Sequence, residues 1–507
     1  MDNRTRRARI NAASMLLNQL VTTCVGVVIP WVMIGYFGSE AYGATASIAQ
    51  FLAYISLFEG GIGRVARGAL YGPLAEGDNE KVSGIYLDVK RFFRTIGLAF
   101  LGYALILSFC YHDIANVSGF TREYIFALVL AIALGKFAEY MGGIANITLF
   151  NADQKQYVVN AVVIVTSILN VALIALLAVS GADIFWVKLA SSIVFVLKPI
   201  IYTIYLKRNY KIDKKVKRGV LKNKAVGIAQ HMAYVIHNNT DILILTVCAD
   251  LKMVAVYSIY HLVTYNLRSI TISFTGGMEA IFGNMIAKGE RDELMASYRK
   301  YKFILTVLTV ALFGAAGVLI LPFVKVYTND VSDVNYIRPI FAVLLLLGDV
   351  INCLIWPCFN LTIAANKLKE SQLGAYLEAA INVGVSIALV FWDPLVGVAI
   401  GTLASAVFKS FYYMIFASKK ILNIKPVKLM LSFLATCVII GVFSVCGVLL
   451  EDVLPIYNYW HWIIAGVVTV AITVPLGLAL GSACYPGYIR TFFAHIKRKF
   501  GYNREGF

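Results

Sequence analysis

Displaced by 212 residues, this chain superimposes on itself. Gly77, Tyr86, Lys90, Ala99, Leu149, Lys155, Asn170, Val171 and Lys207 fall on Gly289, Tyr298, Lys302, Ala311, Leu361, Lys367, Asn382, Val383 and Lys419 without a gap. The polar loop Gly77-Asp78-Asn79-Glu80 falls on Gly289-Glu290-Arg291-Asp292, so the punctuation repeats as well. Both copies are strongly apolar. With 59% hydrophobic residues and a mean hydropathy of +0.75, the chain cannot cover itself with polar surface, which excludes a soluble protein. A duplicated membrane bundle is the way transporters build two halves around a central site.

A crossing needs roughly 20 apolar residues at about 1.5 Å each, and backbone in lipid must satisfy its own hydrogen bonds, so the apolar runs are expected to be helices. On that ruler there are fourteen spans: about 12–37, 43–66, 92–111, 123–150, 157–180, 184–206, 226–249, 255–284, 303–327, 337–364, 373–392, 395–416, 429–450 and 460–483. The run from Asn11 to Phe37 behind Arg4, Arg6, Arg7 and Arg9 is too long for a signal-peptide core, so the first span is expected to remain in the mature protein.

Charge sets the expected orientation. Nine Lys and Arg crowd the 207–224 connection, whereas the loops on the other side hold only Arg122 and Lys252. This is the positive-inside pattern, and it places both termini in the cytoplasm and the protein in the inner membrane. It also accounts for most of the net charge of +17, with anionic membrane lipid rather than nucleic acid as the partner. The repeat lays spans one to six on spans seven to twelve. An even number gives both halves the same orientation, related by a parallel pseudo-two-fold axis along the membrane normal. The expected organisation is an all-α polytopic protein. It has an N-lobe (1–206), a basic linker (207–225), a C-lobe (226–420), and an appendix of spans thirteen and fourteen with a basic tail (421–507).

The eight cysteines lie in or at the ends of apolar runs without a CxxC pair or a histidine at ligand spacing, so they read as packing residues. There is no nucleotide-binding loop, metal-ligand string or nucleophile–base arrangement, and no cofactor is expected.

Several local patterns resemble the polysaccharide (O-antigen type) flippases of the multidrug/oligosaccharidyl-lipid/polysaccharide exporter superfamily. They are Phe37-Gly38-Ser39-Glu40-Ala41-Tyr42-Gly43, Phe58-Glu59-Gly60-Gly61-Ile62-Gly63 followed by Arg64, Asp241-Ile242-Leu243-Ile244-Leu245 followed by Val254-Ala255-Val256-Tyr257-Ser258, and the turns Asn151-Ala152-Asp153-Gln154-Lys155 and Ala364-Ala365-Asn366-Lys367. The acid before the glycines of span two is usually Asp in such proteins and is Glu59 here. The resemblance implies a monomeric, two-lobed transporter rather than an enzyme. It would carry a lipid-linked oligosaccharide from the inner to the outer leaflet by alternating access; any energy it uses is expected from a gradient of H+ or Na+ or from consumption of the cargo outside. The related alternatives are a peptidoglycan-precursor flippase and a cation-coupled multidrug exporter.

A charge in mid-bilayer costs several kcal/mol, so ionisable residues there are expected to face protein, water or substrate. Arg268 lies about thirteen residues into span eight, roughly 20 Å from its outer end, and Lys136 is similarly deep in span four. Glu139, one turn from Lys136, offers it an ion pair. Lys198 and Lys409 hold nearly equivalent places in spans six and twelve and suggest a matched cationic pair, or two side chains reaching for headgroups. Arg64 marks the inner end of span two. Together these five cations would suit a lipid diphosphate, whose oxygens accept paired donors from arginine. Asp241, in the polar run His237-Asn238-Asn239-Thr240, is an ion-coupling candidate with Glu59, Glu139 and Asp349; interhelical hydrogen bonding is the plainer reading. Glu279 and Glu378 are weaker candidates. Gly60-Gly61-Ile62-Gly63 allows either unwinding of span two or merely close packing, and the sequons at Asn146 and Asn360 lie inside spans.

Overall fold

The computed structural model describes residues 3–59, 62–117, 119–216, 239–274, 277–451, 453, 455–486 and 488. The described residues form helices and turns, and eleven of the helices are long and apolar enough to cross a membrane. Most of the expected spans fall within these helices, although spans three and nine start earlier, at Asn79 and Arg291, and span seven is described only over Asn239–Cys248. The protein is a multi-pass membrane protein.

Its longest helix, Asn3–Ala53, has 51 residues and would measure about 76 Å if straight, over twice the hydrocarbon thickness of a bilayer. It is two spans separated at one residue. Gly38 has φ 80 and ψ 171, a conformation open essentially to glycine alone. The repeat-equivalent position is Asp250, where the chain leaves helix and the side chain caps the next span by accepting the Met253 amide at 2.8 Å. One junction thus uses backbone freedom and the other a side-chain cap.

Span two continues from Gly38 through Ala53, tightens into a 3₁₀ turn over Tyr54–Glu59, and resumes as Ile62–Glu76. Span eight is interrupted likewise, as Leu251–Ser273 and Met278–Lys288 with Gly277 in the left-handed region between them. The duplication persists in such details. Gly77 and Gly289 both have positive φ, as do Gln154 and Asn366. Spans three (Asn79–Ile114) and nine (Arg291–Tyr327) begin at equivalent residues. Spans four (Arg122–Ala152) and ten (Pro339–Ala364) end at equivalent residues. A buried pair persists with one partner exchanged: Tyr86 donates to Asn146 Oδ1 at 2.8 Å, and its counterpart Tyr298 lies 3.1 Å from Cys358 Sγ.

The chain forms two compact units, Met1–Ser258 and Ile259–Phe507. The first contains spans five (Gln156–Val179) and six (Ile184–Asn209) with the preceding four, around a core that includes Phe93, Phe100, Tyr111, Tyr140 and Phe150. The described part of span seven (Asn239–Cys248) belongs to it too, joined to span two by a 2.7 Å hydrogen bond between Ser47 and Thr246. Gly43 explains the small residue in its motif, because a Cβ there would lie 1.8 Å from the Leu251 carbonyl oxygen. Residues 217–238, with His231 and His237, lie outside the described residues.

The second unit holds spans eleven (Gln372–Leu389), twelve (Pro394–Ala417), thirteen (Val427–Leu449) and fourteen (Tyr459–Cys484) beside nine and ten. Spans thirteen and fourteen pack along span nine so closely that a Cβ on Gly447 would lie 2.2 Å from the Gly317 carbonyl oxygen. Thr473 and Trp462 donate to the carbonyls of Ala311 and Leu319, each at 3.1 Å. Val310 and Phe313 of span nine are fully buried, whereas the equivalent Leu98 and Leu101 of span three are 63% and 39% exposed.

Candidate functional site

Span four is not a continuous α-helix. After Ala138 one π-helical turn, Glu139–Gly143, inserts before α-helix resumes at Ile144, a feature that recurs at functional sites. The turn buries Tyr140 between Phe93 and Phe100 and lets its hydroxyl donate to Glu59, at the end of the 3₁₀ turn of span two. Two irregular segments therefore meet at one acid.

Beside them the first unit has an open cavity of about 460 Å3. Span two contributes Thr45, Ala49 and Leu52, span four Lys136 and Glu139, and span six Lys188, Ser191, Ser192, Phe195 and Lys198. Lys136 pairs with Glu139 at 3.3 Å and lies over the Tyr140 ring; Lys198 lies 4.3 Å from the centre of the Phe195 ring. Lys136 and Lys198 are each fourteen residues from the start of their helices, about 21 Å along the axis, whereas Lys188 is only about 6 Å in. Three lysines thus line the wall against one glutamate. Serine and threonine hydroxyls between them complete a surface suited to a polar anion.

The second unit treats its deep charges differently. Arg268 Nη1 lies 2.8 Å from Asp349 Oδ1, with Asp349 buried and the guanidinium beside the Tyr265 ring. Lys409 Nζ lies 2.9 Å from Glu378 Oε1, with both side chains largely buried. Each is a neutralised pair between neighbouring spans, the arrangement in which a buried charge is tolerable. Lys198 and Lys409, expected as a matched pair, have unlike surroundings: an open cavity and a carboxylate.

Asp241 is buried and accepts from Tyr257 at 2.9 Å. Around it Gln50 donates to Asn239, and the hydroxyls of Tyr54 and Thr240 lie 3.4 Å apart. This is an interhelical polar seam. Arg64 lies on the helix Ile62–Glu76, and its side chain is outside the described residues. The asparagines of both sequons are buried and hydrogen-bonded, Asn146 to Tyr86 and Asn360 to Tyr301 at 3.2 Å. Sequence reasoning missed Lys188. Its signal was the stripe Lys188, Ser191, Ser192, Phe195, Lys198, which keeps one helix face by its three- and four-residue steps.

No protein-family model and no curated protein matches the chain. Among solved structures it is similar to a lipid II flippase MurJ in an inward closed conformation, at 13% identity and a TM-score of 0.61, over 95% of this chain and 99% of that one. It is also similar to an inward-facing MATE multidrug transporter of the MOP superfamily (12% identity, TM-score 0.60, 78% of this chain and 95% of that one) and to a eukaryotic MATE transporter (13%, 0.57, 85% and 98%). At such identities the likeness is one of fold. The protein has the all-α fold of MOP-superfamily transporters.

Proposed function

We propose that the protein is a flippase that moves a lipid-linked, polyprenyl-diphosphate oligosaccharide from the inner to the outer leaflet of the cytoplasmic membrane, with both termini in the cytoplasm. The observation that carries this reading is the cavity of Lys136, Lys188 and Lys198 against Glu139. Excess positive charge inside a membrane bundle is costly without an anion to meet it, and a diphosphate supplies one. Dragging that headgroup through hydrocarbon is prohibitive, whereas leaving the polyisoprenyl tail in lipid costs little. The headgroup would therefore pass through protein by alternating access while the tail stays outside. An apolar groove of about 530 Å3 between spans nine, thirteen and fourteen, with Val442, Ile464 and Val468 on its walls, suits such a tail. Asp349, which is paired with Arg268, and Asp241, Glu59 and Glu139 are proposed as the acids that hold a coupling H+ or Na+.

The test is transfer of a labelled polyprenyl-diphosphate saccharide across reconstituted vesicles. Lys136→Gln with Lys198→Gln removes two cationic donors and is expected to slow transfer by more than about tenfold, the effect of losing even one charge-assisted contact. Transfer at the parental rate by a correctly inserted variant would refute the cationic route. A second reading, a peptidoglycan-precursor flippase, is favoured by the 95% extent of the match to a lipid II flippase. Lipid II in the same vesicles separates the two. A cationic dye in place of the lipid tests the multidrug reading, against which the positive cavity weighs.

A further inference from the structure

A second basic cluster lies elsewhere on the first unit, at the end of the bundle where spans three and six approach the basic connection. Arg94 stands one turn beyond Lys90 on span three and Lys207 in the last turn of span six, and the Asp213 amide bonded to Ser83 Oγ brings the neighbouring Lys214 to the same helix as Lys90. Lys90 is half-buried, with its ammonium 5.7 Å from the centre of the Tyr86 ring. The loop that brings Lys214 there is held in place. Tyr210 donates to Asp153 at 2.6 Å and stacks on Phe150, and the Asp213 amide donates to Ser83 Oγ at 3.0 Å.

Among the described residues none of the four cations has an acid within ion-pairing distance. Asp213 turns its carboxylate to the Lys215 amide at 2.8 Å. Asp88 is two residues before Lys90, about 200° around the helix. A general cytoplasmic bias toward basic residues does not account for this convergence, because the other copy of the repeat lacks it. There the equivalent residues are Lys302, Thr306, Lys419 and Pro426, and Lys302 is buried, donating to the Leu354 carbonyl at 3.4 Å. Like charges held together by a pinned loop repel one another, and a phosphate with several acceptor oxygens is the group that relieves them.

We propose that Lys90, Arg94, Lys207 and Lys214 form a binding site for the phosphate of a membrane lipid headgroup, distinct from the cavity of span four. Full-length protein would be purified in detergent and exposed to phosphatidylglycerol or phosphatidylcholine, and the retained lipid counted by native mass spectrometry. The parent is expected to retain phosphatidylglycerol and not phosphatidylcholine. Lys90→Gln with Lys214→Gln should retain about tenfold less. Lys90→Arg with Lys214→Arg should keep the lipid, and Lys419→Gln with Lys420→Gln, an equal loss of charge on the other copy, should change nothing. Equal loss in both glutamine variants would reduce the cluster to diffuse basic surface and overturn the proposal. Displacement of the lipid only by a large excess of inorganic pyrophosphate supports it. Pyrophosphate binding as tight as the lipid's would assign the site to a free phosphate instead.

Discussion

Lys409 and Glu378 show what a single residue contributes inside the membrane. Their 2.9 Å contact is shielded, so removing one partner leaves the other charge buried and alone. Glu378→Gln is expected to destabilise the protein by about 3–5 kcal/mol, whereas Glu378→Leu with Lys409→Met should be near neutral, because an apolar pair removes both desolvation costs. Thermal unfolding in detergent decides this: similar midpoints for the single and double variants would mean that the pair carries no such penalty. The depth of Arg268, Lys136, Lys198 and Lys409 was legible in the sequence, because hydropathy locates a charge along a span. Which acid met which base was legible only for Lys136 and Glu139, three residues apart on one helix. Arg268 and Asp349 are 81 residues apart, and nothing in a periodic apolar pattern sets the rotation of span eight against span ten. Lys188 went unnoticed because its position, one turn from a span end, is where a lysine usually reaches for headgroups.

Among the elements, the π-helical turn of span four is the one with most at stake. It inserts a residue and so turns the segment bearing Lys136 against the segment bearing Asn146. Deleting Met141 would restore a plain α-helix and rotate one segment by about 100° relative to the other. With Asn146 held by Tyr86, the displaced side is expected to be that of Lys136 and Glu139. The variant should keep its helical circular dichroism yet lose headgroup transfer. Full transfer after the deletion would show that the turn does not position the lysines. Gly60 and Gly61, which the sequence singled out in span two, lie outside the described residues, and no such sign marks the turn in span four. A π-turn adds one residue to a continuous hydrogen-bonded helix and needs neither proline nor a polar break.

For the whole molecule, the duplication correctly foretold matched turns and matched span ends, down to Gln154 and Asn366. It did not foretell that spans thirteen and fourteen would cover the face of span nine that its counterpart leaves open. Small residues such as Gly317, Gly447, Gly477 and Gly481 allow that approach, but their partners lie far along the chain. Ending the chain after Lys425 is expected to expose this face and leave little monodisperse protein. Gly447→Leu should lower thermal stability in the full chain by forcing the same helices apart. Monodisperse truncated protein with parental stability would show the covering to be dispensable.

The contrast between the two units carries an electrical consequence. Paired charges such as Arg268 with Asp349 move together or not at all, so a voltage across the membrane does little net work on them. The lysines of the first unit outnumber the one acid among them, and their uncompensated part is subject to the field, at about 2.3 kcal/mol per charge for each 100 mV crossed. A negative cell interior therefore draws this cavity inward when it is empty. On the proposed function, a diphosphate of equal and opposite charge would cancel that pull, so the loaded cavity would turn outward without electrical work and the empty one would return with the voltage behind it. The resting membrane potential would in this way bias the cycle alongside any coupling ion.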